Sequence, residues 1–350
     1  MKITMDRYQA NWQMVALGWK THVIGEGRTF ETAGEAIEIL RQENANVIDQ
    51  DLPPFVIARN GNPLGPVTEN DSVIFFNFRG DRAIEISMAF ENENFDFFPR
   101  GPRLNLKYAG MMQYDGDALI PQKYLVDPPG INRTMGEYLA KAGIKQLAIS
   151  ETQKFGHVTY FFNGNRSGKF DESLENYVEI PSDIVPYEER PWMKAAEITD
   201  KVVEAIEGGN DKFIRLNYAN GDMVGHTGVS DAVEIAVETV DLCVARLLDA
   251  VRKANGILIV TADHGNSDDM FQRNKKSGEL VFDENTGNPK PKTAHSLNPV
   301  PVYIFDPTGS VKMKLSDKND LGISSIAATC LKLLGFEPPQ DYTPSVIAID

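Results

Sequence analysis

Ile257-Leu-Ile-Val260 is an unbroken apolar run that gives way, after Thr261-Ala262, to Asp263-His264-Gly265-Asn266. A short run without polar alternation reads as a strand covered on both faces, the pattern of a parallel sheet. In open α/β sheets ligands collect where the strands end. An adjacent Asp and His at such an end can offer a carboxylate oxygen and an imidazole nitrogen to two different metal ions, and Gly265 permits a sharp exit. The same pair is also ordinary turn chemistry after a strand. Its meaning therefore depends on what the rest of the chain brings to the same place.

The flanking pattern favours an α/β fold. Ser230 to Lys253 carries Val233, Ala236, Val237, Val240, Val244, Leu247, Leu248 and Val251 at helical spacing, with Ser230 as a competent N-cap. Strands are expected at Phe55–Ala58, Val73–Phe78, Leu104–Met112, Gln146–Ser150, Val158–Phe162, Phe213–Ala219, Ile257–Val260 and Val302–Phe305. Helices are expected at Met5–Thr21, Glu31–Asn44, from Asp81, and at Thr134–Ala142, Pro191–Glu207 and Ile323–Leu334. The hydrophilic stretch Asn266 to Thr293 reads as an excursion from the sheet. The proline-bearing stretch near residue 128 marks a domain boundary, and beyond it strands and helices alternate, which favours a mostly parallel sheet with helices on both faces. No internal repeat is visible.

With 350 residues, 42% of them hydrophobic, the chain can bury one large core or two ordinary ones. A formal charge of −15 argues against nucleic acid or an anionic membrane as partner, while an acidic chain accommodates cations well. Cys243 and Cys330 both lie in helical patterns among apolar neighbours, so they read as core residues in a reducing cytoplasm. No apolar run approaches a membrane span, and the first residues contain no signal-peptide core.

Three of the five histidines have unusual settings. Asp222 and His226 are four apart, so one helical face presents both, as metal ligation or a simple cap would require. His295 sits between the polar excursion and a proline-bearing strand entry, a position suited to a ligand or to a hydrogen-bonded loop residue. With Asp263 and His264 these give a mixed carboxylate and imidazole set at or near the strand ends of one sheet. Such a set suits Mn²⁺ or Zn²⁺ better than Ca²⁺, and two such ions together clamp the oxygens of a transferring phosphoryl group. Arg7, Arg79 and Arg82 offer guanidinium forks that match phosphate and carboxylate, or else are surface residues. Lys154 follows a strand and could hold a phosphate as a point charge. His22 and His157 read as structural.

Six motifs in order, Met5-Asp-Arg7, Phe76-Asn-Phe-Arg79-Gly-Asp-Arg82-Ala, Ser150-Glu-Thr-Gln-Lys154, Asn217-Tyr-Ala-Asn-Gly-Asp222-Met-Val-Gly-His226, Thr261-Ala-Asp263-His264-Gly-Asn266 and His295-Ser-Leu-Asn-Pro-Val-Pro301, closely resemble cofactor-independent phosphoglycerate mutase of the alkaline phosphatase superfamily. The resemblance implies an alkaline-phosphatase-like, mostly parallel sheet over 129–350, the metal-binding phosphatase-like domain. It further implies that 1–128 is the C-terminal part of a smaller α/β substrate-binding (transferase) domain. It implies interconversion of 3-phosphoglycerate and 2-phosphoglycerate with two Mn²⁺ ions, Co²⁺ or Zn²⁺ being alternatives, and without 2,3-bisphosphoglycerate. Asp222, His226 and His295 would hold one ion, and Asp263 and His264 would contribute to the other. Lys154 would bind the phosphoryl group, and Arg7, Arg79 and Arg82 would grip phosphate and glycerate. The partner is then a small-molecule substrate, and the protein a cytoplasmic monomer.

The family also uses a metal-bound nucleophilic serine in an Asn-Ser-Glu-Val-Gly-His-like motif together with an early metal-binding aspartate, and neither motif occurs in this sequence. The expectation is a C-terminal portion of such a mutase, with no catalytic nucleophile of its own and inactive alone. Gly80 and Gly221 stand where the family commonly has proline. The alternatives are another metal-dependent phosphatase or phosphomutase of the superfamily, or a non-catalytic metal-binding derivative.

Overall fold

The computed structural model describes residues 3–6, 11–45, 47–115, 118–127, 130–166, 168–274, 276–283, 286–309 and 311–349. The chain forms two compact units, Met1–Asn132 with Gly164–Gly168, and Arg133–Asn163 with Lys169–Asp350. Arg7, and the residue 128 region where a boundary was expected, lie outside the described residues.

In the first unit, α1 (Trp12–Trp19) runs into a π-helical turn, Lys20–Ile24. Its apolar face, Val15, Trp19 and Val23, packs with Ile86 and Phe90 of α3 (Ile84–Glu91) and with Phe98 and Tyr108. Trp19 and Phe90 lie with ring centroids 4.8 Å apart. Two small sheets accompany this core. In one, β1 (Thr29–Phe30) runs parallel to β2 (Val56–Arg59), which turns back into β3 (Asn62–Pro63). Asn60 and Gly61 both have positive φ, 50° and 76°, which a tight hairpin turn demands and which these two residue types tolerate. The other sheet pairs β4 (Ser72–Phe75) with β5 (Lys107–Gly110) in parallel. Between β1 and β2 lies α2 (Ala33–Glu43), where the Thr32 hydroxyl accepts from Glu35 N at 3.2 Å and caps the first turn.

In the second unit, α4 (Met135–Lys141) leads into β6 (Gln146–Glu151), the middle strand of a parallel sheet flanked by β7 (Glu175–Ile180) and β8 (Phe213–Asn217). The short α5 (Phe155–Val158) follows β6, and α6 (Ala195–Gly208) separates β7 from β8. Leu147 and Ile149 of β6 pack against Ile198 and Val202 of α6 and Leu247 of α8 (Ser230–Lys253). After β8 comes α7 (Asn220–Gly225), and after α8 comes β9 (Leu258–Thr261), which pairs with β10 (Val302–Phe305). The chain closes with β11 (Met313–Leu315), α9 (Ser325–Leu333) and β12 (Ile347–Ile349). The architecture is α/β, with parallel sheets covered by helices.

Several expectations need correction. Residues 158–162 form no strand: Thr159 hydrogen-bonds back to Phe155 O and Asn163 N to Thr159 O, which keeps this aromatic run coiled as the continuation of a helical turn. β7 lies further along and was not foreseen, because its polar and apolar residues do not form a clean apolar run. The 257–260 run is neither parallel nor fully covered. β9 is antiparallel to β10 and only half-buried through Val260, having one strand partner among the described residues. Ser230 is the first helical residue of α8 rather than its cap, and Val229 takes the N-cap position. The excursion after Asn266 folds back on itself through isolated bridges Phe271–Pro291, Arg273–Leu280 and Phe282–Pro289. No described helix is long and apolar enough to cross a membrane.

Candidate metal centre

The parallel register decides where the polar groups arrive. β6 and β8 point the same way, with Ser150 opposite Asn217, so Lys154 and Asp222 leave the sheet at the same end. β9 ends at Thr261, which pairs with Val302 at the start of β10. The segment entering β10, with His295, and the segment leaving β9, with Asp263 and His264, therefore meet at one strand end. The bridge between Gly265 and Ser296 closes that meeting point.

Asp222, His226 and His295 bring their ligand atoms within 4.8 Å of one another. Asp222 Oδ1 lies 3.1 Å from His226 Nε2 and 3.0 Å from His295 Nε2, and the two Nε2 atoms are 3.2 Å apart. Ligands that share a small divalent ion at bonds of about 2.1 Å stand roughly 3 Å from each other, so the triangle fits such an ion. His226 Nδ1 lies 2.6 Å from Thr293 O. A carbonyl can only accept, so this contact places a proton on Nδ1 and turns Nε2 to the cluster, where it donates to Asp222 and, on losing that proton, would offer its lone pair to an ion.

His264 borders the triangle. Its Nε2 is 3.9 Å from Asp222 Oδ1 and 3.5 Å from Asp263 Oδ2, and its ring stacks on that of His295 with centroids 3.6 Å apart. Lys154 Nζ, on a side chain almost wholly buried, is 2.6 Å from Asp222 Oδ2. Asn266 donates from Nδ2 to Asp222 Oδ1 at 3.1 Å and to Asp222 O at 3.2 Å.

The electrostatics follow from this crowd of donors. Burial by itself would raise the Asp222 carboxyl, but the hydrogen bond from His226 and the charge of Lys154 outweigh it and hold the group well below the usual carboxylate range. The hydrogen bond to Asp222 raises the His226 imidazole, partly offset by burial. Burial, reinforced by the neighbouring His264, lowers His295. An anionic oxygen facing an imidazole that resists protonation is a competent half-site for a cation.

Of the residues singled out in the sequence, Asp222, His226, Asp263, His264, His295 and Lys154 all belong to the second unit. His226, His295 and Lys154 gather around Asp222 with His264 at their border, whereas Asp263 lies beside His264 and outside the triangle. Arg79 and Arg82 belong to the first unit. Arg79 donates from Nε and Nη2 to Asp81 at 2.7 and 3.0 Å, and Arg82 donates from Nη1 to Met5 O at 2.5 Å. Thr293 and Asn266 carried no assigned role in the sequence. Thr293 acts through its backbone carbonyl, for which no residue type gives a signal. Asn266 lies inside the Asp-His motif, and its nearness to that pair was the one available clue.

The sequence profile of the Metalloenzyme superfamily matches residues 11–338. The chain is 54% identical over 347 residues to a probable 2,3-bisphosphoglycerate-independent phosphoglycerate mutase of Leptospira interrogans, covering 99% of this chain and 63% of that protein. It is 47% identical over 353 residues to the 2,3-bisphosphoglycerate-independent phosphoglycerate mutase of Prunus dulcis, covering 72% of it. The fold superposes with a TM-score of 0.95 on a crystal structure of Leishmania mexicana phosphoglycerate mutase determined at low cobalt concentration, with 49% identity, all of this chain and 64% of that one. The chain thus spans about 63% of the length of its Leptospira relative.

Proposed function

The chain belongs to the 2,3-bisphosphoglycerate-independent phosphoglycerate mutase family within the Metalloenzyme superfamily, and from that premise we propose that it supplies the metal-binding and substrate-gripping parts of an enzyme interconverting 3-phosphoglycerate and 2-phosphoglycerate. The observation that carries this reading is the convergence of Asp222, His226 and His295 on one point, with Lys154 on the other oxygen of Asp222.

In this reading Asp222, His226 and His295 hold one divalent ion, and Asp263 and His264 contribute to a second. The ions are Mn²⁺, with Co²⁺ or Zn²⁺ able to take their place, and 2,3-bisphosphoglycerate is not required. When bound, such ions lower the pKa of an attacking hydroxyl and offset negative charge on a transferring phosphoryl group. Lys154 keeps a buried positive charge beside them for phosphoryl oxygens. Arg7, Arg79 and Arg82 present forks that match the phosphate and carboxylate of phosphoglycerate. The substrate is a small molecule of glycolysis, handled in the cytoplasm by a monomer, with neither nucleic acid nor membrane as partner. The 1–128 part acts as the transferase portion and 129–350 as the phosphatase-like portion.

The phosphoryl acceptor is a serine that this chain does not carry. Two serines near the cluster are already engaged, Ser267 donating to Gly221 O and Ser296 to Asp268. Alone, the chain therefore binds metal and phosphoglycerate without turning the substrate over.

The test is to incubate the chain with 3-phosphoglycerate and Mn²⁺ beside an EDTA-treated control, following both binding and product. Metal-dependent binding without product is expected, with turnover appearing once the portion of a relative that this chain does not match is added. Turnover by the chain alone would refute the missing nucleophile, and no metal binding would refute the centre itself.

A further inference from the structure

We propose that Asp268 is a positioning residue that locks the loop bearing His264 against the loop bearing His295, and so sets the spacing between the two groups of metal ligands. The inference rests on reading those histidines as ligands, but its structural half can be tested without metal. Asp268 contacts no ligand atom in any interaction described above. Its carboxylate accepts from Ser296 Oγ at 3.1 Å on Oδ1 and 2.8 Å on Oδ2, and from Asn298 Nδ2 at 2.6 Å on Oδ2. Ser296 is the residue after His295. Its backbone N donates to Gly265 O at 2.8 Å, and Gly265 is the residue after His264. One carboxylate on the first loop, on the fourth residue after His264, thus holds the second loop at Ser296, next to His295, and at Asn298, while the backbone bond to Gly265 O adds a tie next to His264.

The fit around this clasp is close. A Cβ at Gly265 would lie 2.1 Å from Ser296 Oγ and 2.5 Å from Asp268 Oδ1, so the loops approach too closely for any other residue there. Ser296 is buried. The consequence is the stack of His264 on His295, ring planes 17° apart. Two imidazoles gain little from stacking in water, so the rings hold this register because their backbones are fixed. Among the described residues the two segments share no regular ladder; the isolated bridges Gly265–Ser296 and Phe271–Pro291 and an ion pair between Asp269 and Lys292 join them, and only the first of these lies beside the two histidines. The Asp268 carboxylate, accepting from the Ser296 hydroxyl and the Asn298 amide, is the charged link that reaches the residue next to His295. Outer-sphere partners of this kind shift metal affinity about 10- to 100-fold when removed.

The experiment compares the full chain with Asp268→Ala, Asp268→Asn and, as a control for stability alone, Leu331→Ala. Leu331 is buried against Met135 and Leu139, in a core cluster that contains none of the clasp residues. The first readout is the set of histidine ring-proton shifts in the metal-free protein. The second is Co²⁺ affinity, with the visible Co²⁺ absorption spectrum recorded at saturation. The expected result is that Asp268→Ala loses the ring-current shifts of the His264–His295 stack, weakens Co²⁺ binding about tenfold or more and alters the spectrum. Asp268→Asn should fall between, since it keeps one acceptor oxygen, and it provides the readout if the alanine variant does not fold. Leu331→Ala should lower the melting temperature and leave both readouts in place. Unchanged ring shifts in a folded Asp268 variant would overturn the inference whatever the metal does. Changed shifts with unaltered Co²⁺ affinity would overturn the claim that the clasp sets ligand spacing. If the unsubstituted chain fails to bind Co²⁺, the metal reading falls and with it the claim about ligand spacing, while the ring shifts still decide whether Asp268 positions the loops.

Discussion

β6 and β9 both carry an apolar run toward a residue of the candidate centre, yet they live in different surroundings. Every residue of β6 is buried, between parallel neighbours β7 and β8 and beneath α6. β9 has β10 as its one strand partner among the described residues; its apolar residues stay half-buried and Thr261 is exposed. Leu258 reaches the Leu147–Ile149 core, but the rest of β9 does not share in it. A strand's cover thus depends on what flanks it and not on its own apolar run. The contrast also means that the candidate centre draws Lys154 from a rigid wall and Asp263 and His264 from a loosely held edge.

Deleting matched methyl groups should separate the two strands most widely. Ile149→Ala empties a site with no solvent exposure and should destabilise the second unit by about 3–4 kcal/mol, whereas Ile259→Ala in β9 should remove about 1 kcal/mol. Urea denaturation of the two variants checks it, and equal losses would mean that β9 is as enclosed in solution as β6.

The buried end of β6 also carries a pH-sensitive group. Burial raises the Glu151 carboxyl from 4.5 to about 7, against opposing hydrogen bonds from Ser182 and Lys194. The folded chain therefore holds this proton more tightly than the unfolded one. Stability should fall as pH rises through the window between the unfolded and folded values, and level off above it. The loss over that window is on the order of 3 kcal/mol. Glu151→Gln should remove the slope. Urea midpoints measured at about pH 5 and about pH 8 decide it; an identical drop in both proteins would assign the slope to another group.

The third and smallest effect sharpens the contrast from the other side. Metal held by Asp222, His226, Asp263, His264 and His295 should stabilise the folded state by about 2.7 kcal/mol at a concentration one hundred times its Kd. The added protection should concentrate in the backbone leaving β9 and entering β10, because the β6 end is already secured. Amide hydrogen exchange with and without Mn²⁺ reads this directly. Uniform protection across both strands would show that the β9 edge is not the loosely held partner.

Much of the candidate centre could be read in the chain itself, for a local reason. Asp222 and His226 are four apart, and Asp263 and His264 follow an apolar run, so short-range geometry already constrains where these groups point. Lys154 could be placed after β6 but not paired with Asp222, because that contact depends on two strands sharing one parallel register. The strand expected at residues 158–162 failed where an aromatic run closed a helical turn instead. β7 was missed because a strand with polar residues at Glu175, Asn176 and Glu179 shows no apolar run.

The sequence by itself determined the α/β alternation, the long α8, and the residue types gathered at the strand ends, because these rest on periodicity and on contacts a few residues apart. Only the tertiary structure decided that β9 pairs antiparallel and stays half-covered, that Lys154 meets Asp222, and that Thr293 and Asp268 support the histidines. Each of those contacts joins residues far apart in the chain or uses a backbone carbonyl. Their partners are fixed only when strands take their register and loops close against one another.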